Sequence, residues 1–267
     1  RARPQCLPRS RSNWLRHTPS GSPPCIRSPM RAISVENVSK KFVLRPNKPS
    51  GLASGISSAL GFGRRRDFWA LRDVSFDVNQ GEAIGIIGHN GAGKSTMLKI
   101  LTGIMEPTRG AIRTRGRVSA LIEVGAGFHP EMTGRENIYL NGSILGMTRS
   151  EVQRKLDDIV SFAEIEDFID TPVKRYSSGM FARLGYAVAA HVEPQALLVD
   201  EVLAVGDLAF QQKCFRHMQS LVERGCAVIL VTHSMNSAKQ ICSRLVWIHE
   251  GQVRVQGQVD DVARQYQ

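Results

Sequence analysis

A glycine-rich segment between an apolar stretch and a helix-like stretch constrains the fold of this chain more than any other feature. It runs from Gly88 to Thr96 and reads Gly-His-Asn-Gly-Ala-Gly-Lys-Ser-Thr, which matches the phosphate-binding pattern G-x-x-x-x-G-K-[ST]. Its glycines let consecutive backbone N–H groups converge on a phosphate, and the following helix adds the positive end of its dipole. The pattern predicts a nucleotide-phosphate site in which Lys94 reaches the β and γ oxygens and the Ser95 hydroxyl holds Mg²⁺.

A second apolar stretch ends in two adjacent carboxylates. Ala196–Val199 has the length and composition of a buried strand, and Asp200 and Glu201 follow it directly. A parallel strand delivers such residues to the edge of the sheet where phosphates bind, so Asp200 is predicted to be the Mg²⁺-linked acid. Glu201 is then the candidate general base that orients the attacking water. Taken alone, an apolar strand ending in Asp-Glu also fits a plain exit into a loop.

Strand-like and helix-like stretches alternate along most of the chain. The apolar stretches Ala83–Ile87, Ala196–Val199 and Ala227–Thr232 are strand-length, while Asp207–Arg224 has the pattern of a helix closed by Gly225. Such alternation favours an α/β fold with a mostly parallel sheet.

The middle of the chain, residues 130–175, is predicted to be mostly helical. Ser150, with Gln153 three residues later, predicts a capping box at the start of one of its helices. The apolar residues of that helix fall on one face, which core packing alone explains: Val152, Leu156, Ile159, Val160 and Ala163.

The net charge of +11 suggests a nucleic-acid partner until its distribution is considered. Residues 1–29 contain six arginines, no acidic residue and six of the 12 prolines, so more than half of the positive excess lies there. We interpret Met30 as the start of the protein and residues 1–29 as a mis-assigned or disordered extension; a cleaved transit peptide is the alternative. The remaining excess is modest, and no nucleic-acid partner is expected.

Other stretches constrain the function less. Residues 44–67 are rich in Gly, Ser and Pro and contain Arg64–Arg66. This predicts an inserted loop whose arginines are solvated, with contact to an anionic phosphate group as the alternative. The five cysteines form no CxxC pair, which favours buried reduced thiols over a disulfide framework or a zinc site. No apolar run reaches the roughly 18 residues of a spanning helix, so another chain would have to cross a membrane.

The order of the motifs resembles the ATP-binding-cassette (ABC) ATPases from about residue 31 to the end. The phosphate loop is followed by the Ser177-Ser-Gly179 turn before a helix, the strand ending at Asp200, the Gly206-Asp207 turn, and His233 after the next apolar strand. The resemblance implies a phosphate-loop NTPase cassette with a mostly parallel core sheet, an antiparallel β part and a helical subdomain at about residues 130–178. The cassette would span residues 30–267.

Roles for individual residues follow from this resemblance by motif match. Asp200 and Glu201 keep the roles given above, His233 is similar to the histidine that contacts the γ-phosphate, and Asp207 is similar to the residue that communicates across a dimer. An aromatic residue near the N-terminus stacks on adenine in this family, and Phe42 is the first choice, with Trp69 second. The residues that would contact ATP are Gly88, His89, Asn90, Gly91, Ala92, Gly93, Lys94, Ser95, Thr96 and Phe42, together with Ser177, Ser178 and Gly179 supplied by the opposite subunit of a homodimer.

The sequence also departs from the general family pattern. The turn reads Ser-Ser-Gly-Met where Ser-Gly-Gly-Gln is usual, so Ser178 and Met180 are atypical. Glu123, or Val124 one residue on, takes the place of a glutamine that would contact the metal.

With these departures, the sequence resembles one subfamily, the cassettes that export O-antigen, capsule or teichoic acid in bacteria. Its motifs are matched by Phe128–Ile138, Tyr176–Met180 and Ala204–Asp207. The resemblance implies an ATPase that works with a separate permease at the cytoplasmic face of the inner membrane. Two alternatives are a cassette ATPase acting on nucleic acid or ribosomes, and a degenerate cassette that binds ATP without turnover.

Overall fold

The computed structural model describes residues 30–44, 66–121, 125–200 and 206–266. The predicted extension 1–29, most of the predicted insertion 44–67, and both Glu123 and Glu201 lie outside the described residues. The strands are β1 (Arg31–Leu44), β2 (Arg66–Asn79), β3 (Ala83–Ile87), β4 (Arg109–Thr114), β5 (Val118–Leu121), β6 (Ala196–Val199), β7 (Ala227–Val231), β8 (Arg244–His249) and β9 (Gln252–Gln258). The helices are α1 (Lys94–Leu101), α2 (Gly134–Ile144), α3 (Arg149–Ala163), α4 (Ser178–Ala190), α5 (Leu208–Glu223), α6 (Met235–Ile241) and α7 (Val259–Tyr266).

The central sheet has six strands in the order β5-β6-β7-β3-β8-β9. Its first five strands are parallel, and β9 pairs antiparallel with β8. Every residue of β3, β6 and β7 is buried because helices cover one face of the sheet and a second sheet covers the other, which explains their unbroken apolar sequences. The predicted mostly parallel α/β core is confirmed.

A smaller antiparallel sheet, in the order β2-β1-β4, packs over the central one. Its strand β2 alternates exposed and buried residues from Val74 to Val78, as a sheet with one covered face requires. Side chains of this sheet share one core with α1 and with inward-facing residues of β3, β6 and β7. This sheet is the predicted antiparallel part of the cassette.

Helices α2, α3 and α4 enclose a separate core. The five apolar residues predicted to lie on one face of α3 are all buried there. The predicted cap of this helix is wrong: Thr148, not Ser150, is the N-cap residue. Its hydroxyl accepts from the Glu151 N–H, and the Glu151 carboxylate accepts from the Thr148 N–H at 2.6 Å. A charged carboxylate makes the stronger reciprocal bond, so Thr148-x-x-Glu151 wins over Ser150-x-x-Gln153.

The cysteines of the described residues are buried thiols. Cys214, Cys226 and Cys242 are all unpaired. Burial raises the pKa of Cys214 and Cys242 to about 12 and that of Cys226 to about 11, so all three stay protonated and unreactive at neutral pH.

Candidate nucleotide site

The functional segments predicted from the sequence follow neighbouring parallel strands. Ile86 of β3 lies opposite Val231 of β7, and Val199 of β6 lies opposite Leu230. The Thr232 N–H donates to the Ile86 carbonyl at 3.2 Å. The phosphate loop, Asp200 and His233 each begin within two residues of the end of their strand, so all three meet at the carboxyl edge of the sheet.

The phosphate loop is held in place by backbone contacts on both sides. Gly93 has a left-handed backbone (φ 108°), and a Cβ at this position would lie 2.6 Å from the Ala70 carbonyl oxygen of β2. On the other side, the Gly251 N–H donates to the Ala92 carbonyl at 3.0 Å, and the Arg72 N–H donates to the Gly251 carbonyl at 2.7 Å. The turn between β8 and β9 therefore links the loop to β2.

The helix that follows the loop begins without a side-chain cap. Gly93 is the N-cap residue of α1, and the first turn contains no acidic residue. Its N–H groups and the positive end of its dipole are thus not neutralised by the helix itself, which suits a bound phosphate.

Lys94 and Asp200 form the charged centre of the site. The Lys94 ammonium is buried and donates to the carbonyl oxygens of Gly88 at 2.8 Å and His89 at 3.1 Å. Burial lowers the pKa of Lys94, and the Asp200 carboxylate partly offsets this. Burial likewise raises the pKa of Asp200, against the opposing effect of Lys94. The two charges therefore act on each other, and phosphate oxygens could replace the loop carbonyls around the ammonium.

The residues present fit a magnesium ion. The Asp200 carboxylate and the Ser95 hydroxyl, from the first turn of α1, supply the oxygen ligands that Mg²⁺ prefers together with nucleotide phosphates. A divalent cation would also relieve the cost of the half-buried Asp200 carboxylate. Among the described residues, no group of three or more His, Cys, Asp or Glu side chains is placed to hold a metal ion by itself.

Replacing Asp200 with asparagine is expected to stabilise the nucleotide-free protein at pH 7 and to remove the Mg²⁺ dependence of ATP binding. Folding raises the pKa of the Asp200 carboxyl. The free energy of unfolding therefore falls as the pH rises from the pKa of the unfolded state to that of the folded state, and it stays lower above that range. Asparagine carries no charge and avoids this loss. Melting temperature at pH 7 and nucleotide titration with and without Mg²⁺ are the measurements.

Asp157→Asn, at an exposed position of α3, is the matched control and should change neither quantity. A lower melting temperature for Asp200→Asn than for the wild type would contradict the electrostatic account.

Ser177 begins helix α4 as its N-cap residue. Its hydroxyl oxygen accepts from the Met180 N–H at 3.2 Å, which leaves the hydroxyl proton able to donate to a phosphate. Ser177 and Ser178 are exposed, and a Cβ at Gly179 would lie at an ordinary contact distance of 3.8 Å from the Ser177 hydroxyl. The turn is thus open on its outer side.

His233 follows β7 in a short ordered turn. The side chain is exposed, and the Ser234 N–H donates to the Thr232 hydroxyl at 2.9 Å. Ser234 then caps α6 by accepting from the Ser237 N–H. The position of His233 beyond the strand is therefore fixed on both sides.

The two candidate aromatic residues lie on the antiparallel sheet. Phe42 is paired with Phe68 in register, and the Lys40 ammonium lies 5.6 Å from its ring centroid. Trp69 precedes Ala70, whose carbonyl approaches Gly93, and its ring is contacted by Lys41 and Arg109. Adenine stacking by Phe42 stays a prediction.

Sequence reasoning missed two parts of this region. Gly251 supports the phosphate loop from a distant turn, and the only local signal is the Glu250-Gly251 pair between two strands. The second is Arg183 on α4, whose guanidinium donates to the Asp207 carboxylate at 2.8 Å. Asp207 itself caps α5 by accepting from the Phe210 N–H at 2.9 Å.

Comparison with known proteins identifies the family and agrees with the fold. The model of the family described as ABC transporter matches residues 71–204, half of the chain, and the chain belongs to this family. It is an ABC transporter ATPase. The ATP-binding subunit of an ABC transporter is similar in structure, with a TM-score of 0.71 and 26% identity over 88% of this chain and 93% of that one. A dimeric cassette in a post-hydrolysis state with ADP and Pi shares the fold, with a TM-score of 0.68 and 22% identity over 85% of this chain and 98% of that one.

Within the family, the chain is of the O-antigen and teichoic acid export type. It is 44% identical to the O-antigen export system ATP-binding protein RfbB of Klebsiella pneumoniae over 88% of this chain and 96% of that protein. It is 41% identical to the teichoic acids export ATP-binding protein TagH of Listeria innocua over 88% of this chain and 69% of that protein.

Proposed function

We propose that this chain is the ATP-hydrolysing subunit that powers export of a lipid-linked polysaccharide or polyol-phosphate glycan through a separate permease. The observation that carries the proposal is the 44% identity to an O-antigen export ATP-binding protein over nearly its whole length. The chain keeps Lys94, Asp200, Glu201 and His233, so it has the groups that turnover requires and does not favour a degenerate cassette.

The proposed chemistry assigns each group one task. The loop amides and Lys94 hold the phosphates, and Ser95 and Asp200 hold Mg²⁺, which supplies charge neutralisation on the phosphate oxygens. Glu201 orients and deprotonates the attacking water, and His233 contacts the γ-phosphate. Glu123 contacts the metal, Phe42 stacks on the adenine, and Ser178 contacts the nucleotide held by the opposite subunit.

A homodimer is the proposed working form. Ser177 and Gly179 of one copy would close on the nucleotide held by the phosphate loop of the other, because the open turn at the start of α4 offers a hydroxyl and helix N–H groups. Asp207 caps α5 and Leu208 is its first residue, a large apolar side chain that is 77% exposed. Such exposure beside a proposed dimer contact favours burial against a second copy.

Replacing Leu208 with aspartate is expected to weaken ATP-driven dimerisation about tenfold or more, because burial of a leucine contributes about 1.5–3 kcal/mol. The measurement is the monomer–dimer equilibrium in the presence of ATP, made in the Glu201→Gln background so that hydrolysis does not end the complex.

Ile104→Asp is the matched control, because Ile104 is also a large apolar side chain and is 68% exposed. It lies just after the C-terminal end of α1, whereas the phosphate loop precedes the N-terminal end of that helix. Equal dimerisation of the Leu208→Asp and control variants would remove Leu208 from the interface.

The proposals of a separate permease and of a site of action at the membrane rest on the same export-system relatives. In the part of the chain that the structure describes, no helix has the length and apolar character needed to cross a bilayer. On the basis of the export-system relatives, we assign the crossing to a separate membrane protein and the ATPase to its cytoplasmic face.

The alternative, an ATPase acting on nucleic acid or ribosomes, draws only on the basic charge. Six of the excess positive charges lie in residues 1–29, and the relatives named above are export proteins.

Deletion of the gene in its own host tests the export function. Surface glycan should be lost and undelivered polymer should accumulate inside the cell. The wild-type gene should restore export and Glu201→Gln should not. Normal surface glycan together with altered ribosome or RNA profiles would favour the alternative.

A further inference from the structure

Arg183 lies where three helices of the cassette meet. Its side chain is 20% exposed and extends from α4 toward the end of α3 and the start of α5. The guanidinium donates to the Glu164 carboxylate at 3.0 Å and to the Asp207 carboxylate at 2.8 Å. Its central carbon lies 5.0 Å from the Phe210 ring centroid. One planar fork thus joins three elements.

Gly206 and Asp207, which directly precede α5, lie close to this guanidinium. Gly206 has a left-handed backbone (φ 73°), and a Cβ there would lie 3.3 Å from Arg183 Nε. The Asp207 carboxylate is held by the Phe210 N–H and by Arg183, which keeps its pKa below the usual range. The Gly206 backbone therefore rests against Arg183.

The Glu164 end of this network is held by a second cation. Lys213 of α5 donates to Glu164 at 2.9 Å and to the Phe162 carbonyl at 2.9 Å. Lys213 thus links the end of α3 to α5 without Arg183. Among the described residues, Asp207 is joined to α4 by its ion pair with Arg183. The Asp207 contact is the one that depends on this arginine.

We propose that Arg183 is a positioning residue for ATP hydrolysis, fixing Asp207 and the start of α5 relative to Ser177. This inference rests on the proposed homodimer, in which Ser177 and Asp207 both meet the partner. Ser177 is six residues before Arg183 on the same helix, so the ion pair joins the two contacting segments into one unit. This unit presents Ser177 and Asp207 to the partner subunit at a fixed distance and orientation. A misplacement of about 1 Å in such an arrangement can lower the reaction rate by up to about 10²-fold.

The test is steady-state ATP hydrolysis by Arg183→Gln, Arg183→Lys, Asp207→Asn and Glu164→Gln, with nucleotide affinity and melting temperature measured in parallel. Asparagine still caps a helix, so Asp207→Asn removes the ion pair and keeps the cap. We expect Arg183→Gln and Asp207→Asn each to lower kcat about 10- to 100-fold with KM and ATP affinity unchanged. The kcat of Arg183→Lys should be little higher than that of Arg183→Gln, because an ammonium cannot form the two-pronged hydrogen bonds of the guanidinium or stack on Phe210.

The double variant separates positioning from simple stabilisation. If Arg183 acts through Asp207, Arg183→Gln/Asp207→Asn should be no slower than the slower single variant. Arg135→Gln breaks a comparable exposed ion pair, with Asp170, and serves as the control with unchanged kcat.

Two results would overturn the inference in a wild-type protein that hydrolyses ATP and dimerises. One is a reduced melting temperature with unchanged kcat for Arg183→Gln. The other is a loss of kcat in Glu164→Gln as large as that in Arg183→Gln, together with an unchanged kcat in Asp207→Asn. Absence of hydrolysis by the wild type would instead refute the proposed function itself.

Discussion

The Glu201→Gln variant is expected to bind ATP with wild-type affinity while hydrolysing it about 10²- to 10⁴-fold more slowly, the range that a positioned general base contributes. Glutamine has nearly the same shape as glutamate and can still accept a hydrogen bond from water, but it cannot take the proton. Glu201 directly follows Asp200, which the structure puts at the carboxyl edge of the sheet. Single-turnover hydrolysis and equilibrium ATP binding give the two quantities.

Glu223→Gln is the control for this variant, since it makes the same chemical change at an exposed position at the end of α5. Its turnover should equal that of the wild type. Turnover of Glu201→Gln close to the wild type would remove Glu201 from the role of base.

The Lys94→Ala variant is expected to lose ATP affinity by about 100-fold, because hydrogen bonds from a charged donor contribute about 1.5–3 kcal/mol each. In the nucleotide-free protein the ammonium is buried and bound to the Gly88 and His89 carbonyls, so its charge is already desolvated and directed into the loop. Removing it leaves the helix dipole and the loop amides, but takes away the ammonium charge that acts on Asp200. Isothermal titration with a nonhydrolysable ATP analogue measures the change.

Lys99→Ala is the matched control, because Lys99 is exposed on the same helix and does not line the loop. It should bind the analogue as the wild type does. Retention of wild-type affinity by Lys94→Ala would contradict the phosphate-site assignment.

The sequence was sufficient to predict the parts of the fold that depend on local pattern. Ala83–Ile87 and Ala196–Val199 occur as strands with the predicted bounds, because unbroken apolar runs of this length fit a sheet covered on both faces. The phosphate loop, Asp200 and His233 were found because each follows such a strand.

The parts that could not be predicted depend on contacts between distant residues. The support of Ala92 by Gly251 and the pairing of Arg183 with Asp207 join residues far apart in the chain, and no local pattern specifies them. The cap of α3 was misassigned because two overlapping capping patterns compete, and their difference lies in hydrogen-bond strength.

Purification of the tagged protein from membranes of its own host, after mild detergent extraction, tests the central claim most directly. The account predicts a multi-span membrane protein that co-purifies in a stoichiometric ratio, together with a lipid-linked glycan. Recovery of the protein in the cytosol with RNA or ribosomes attached, and without a membrane partner, would contradict its assignment as an exporter subunit.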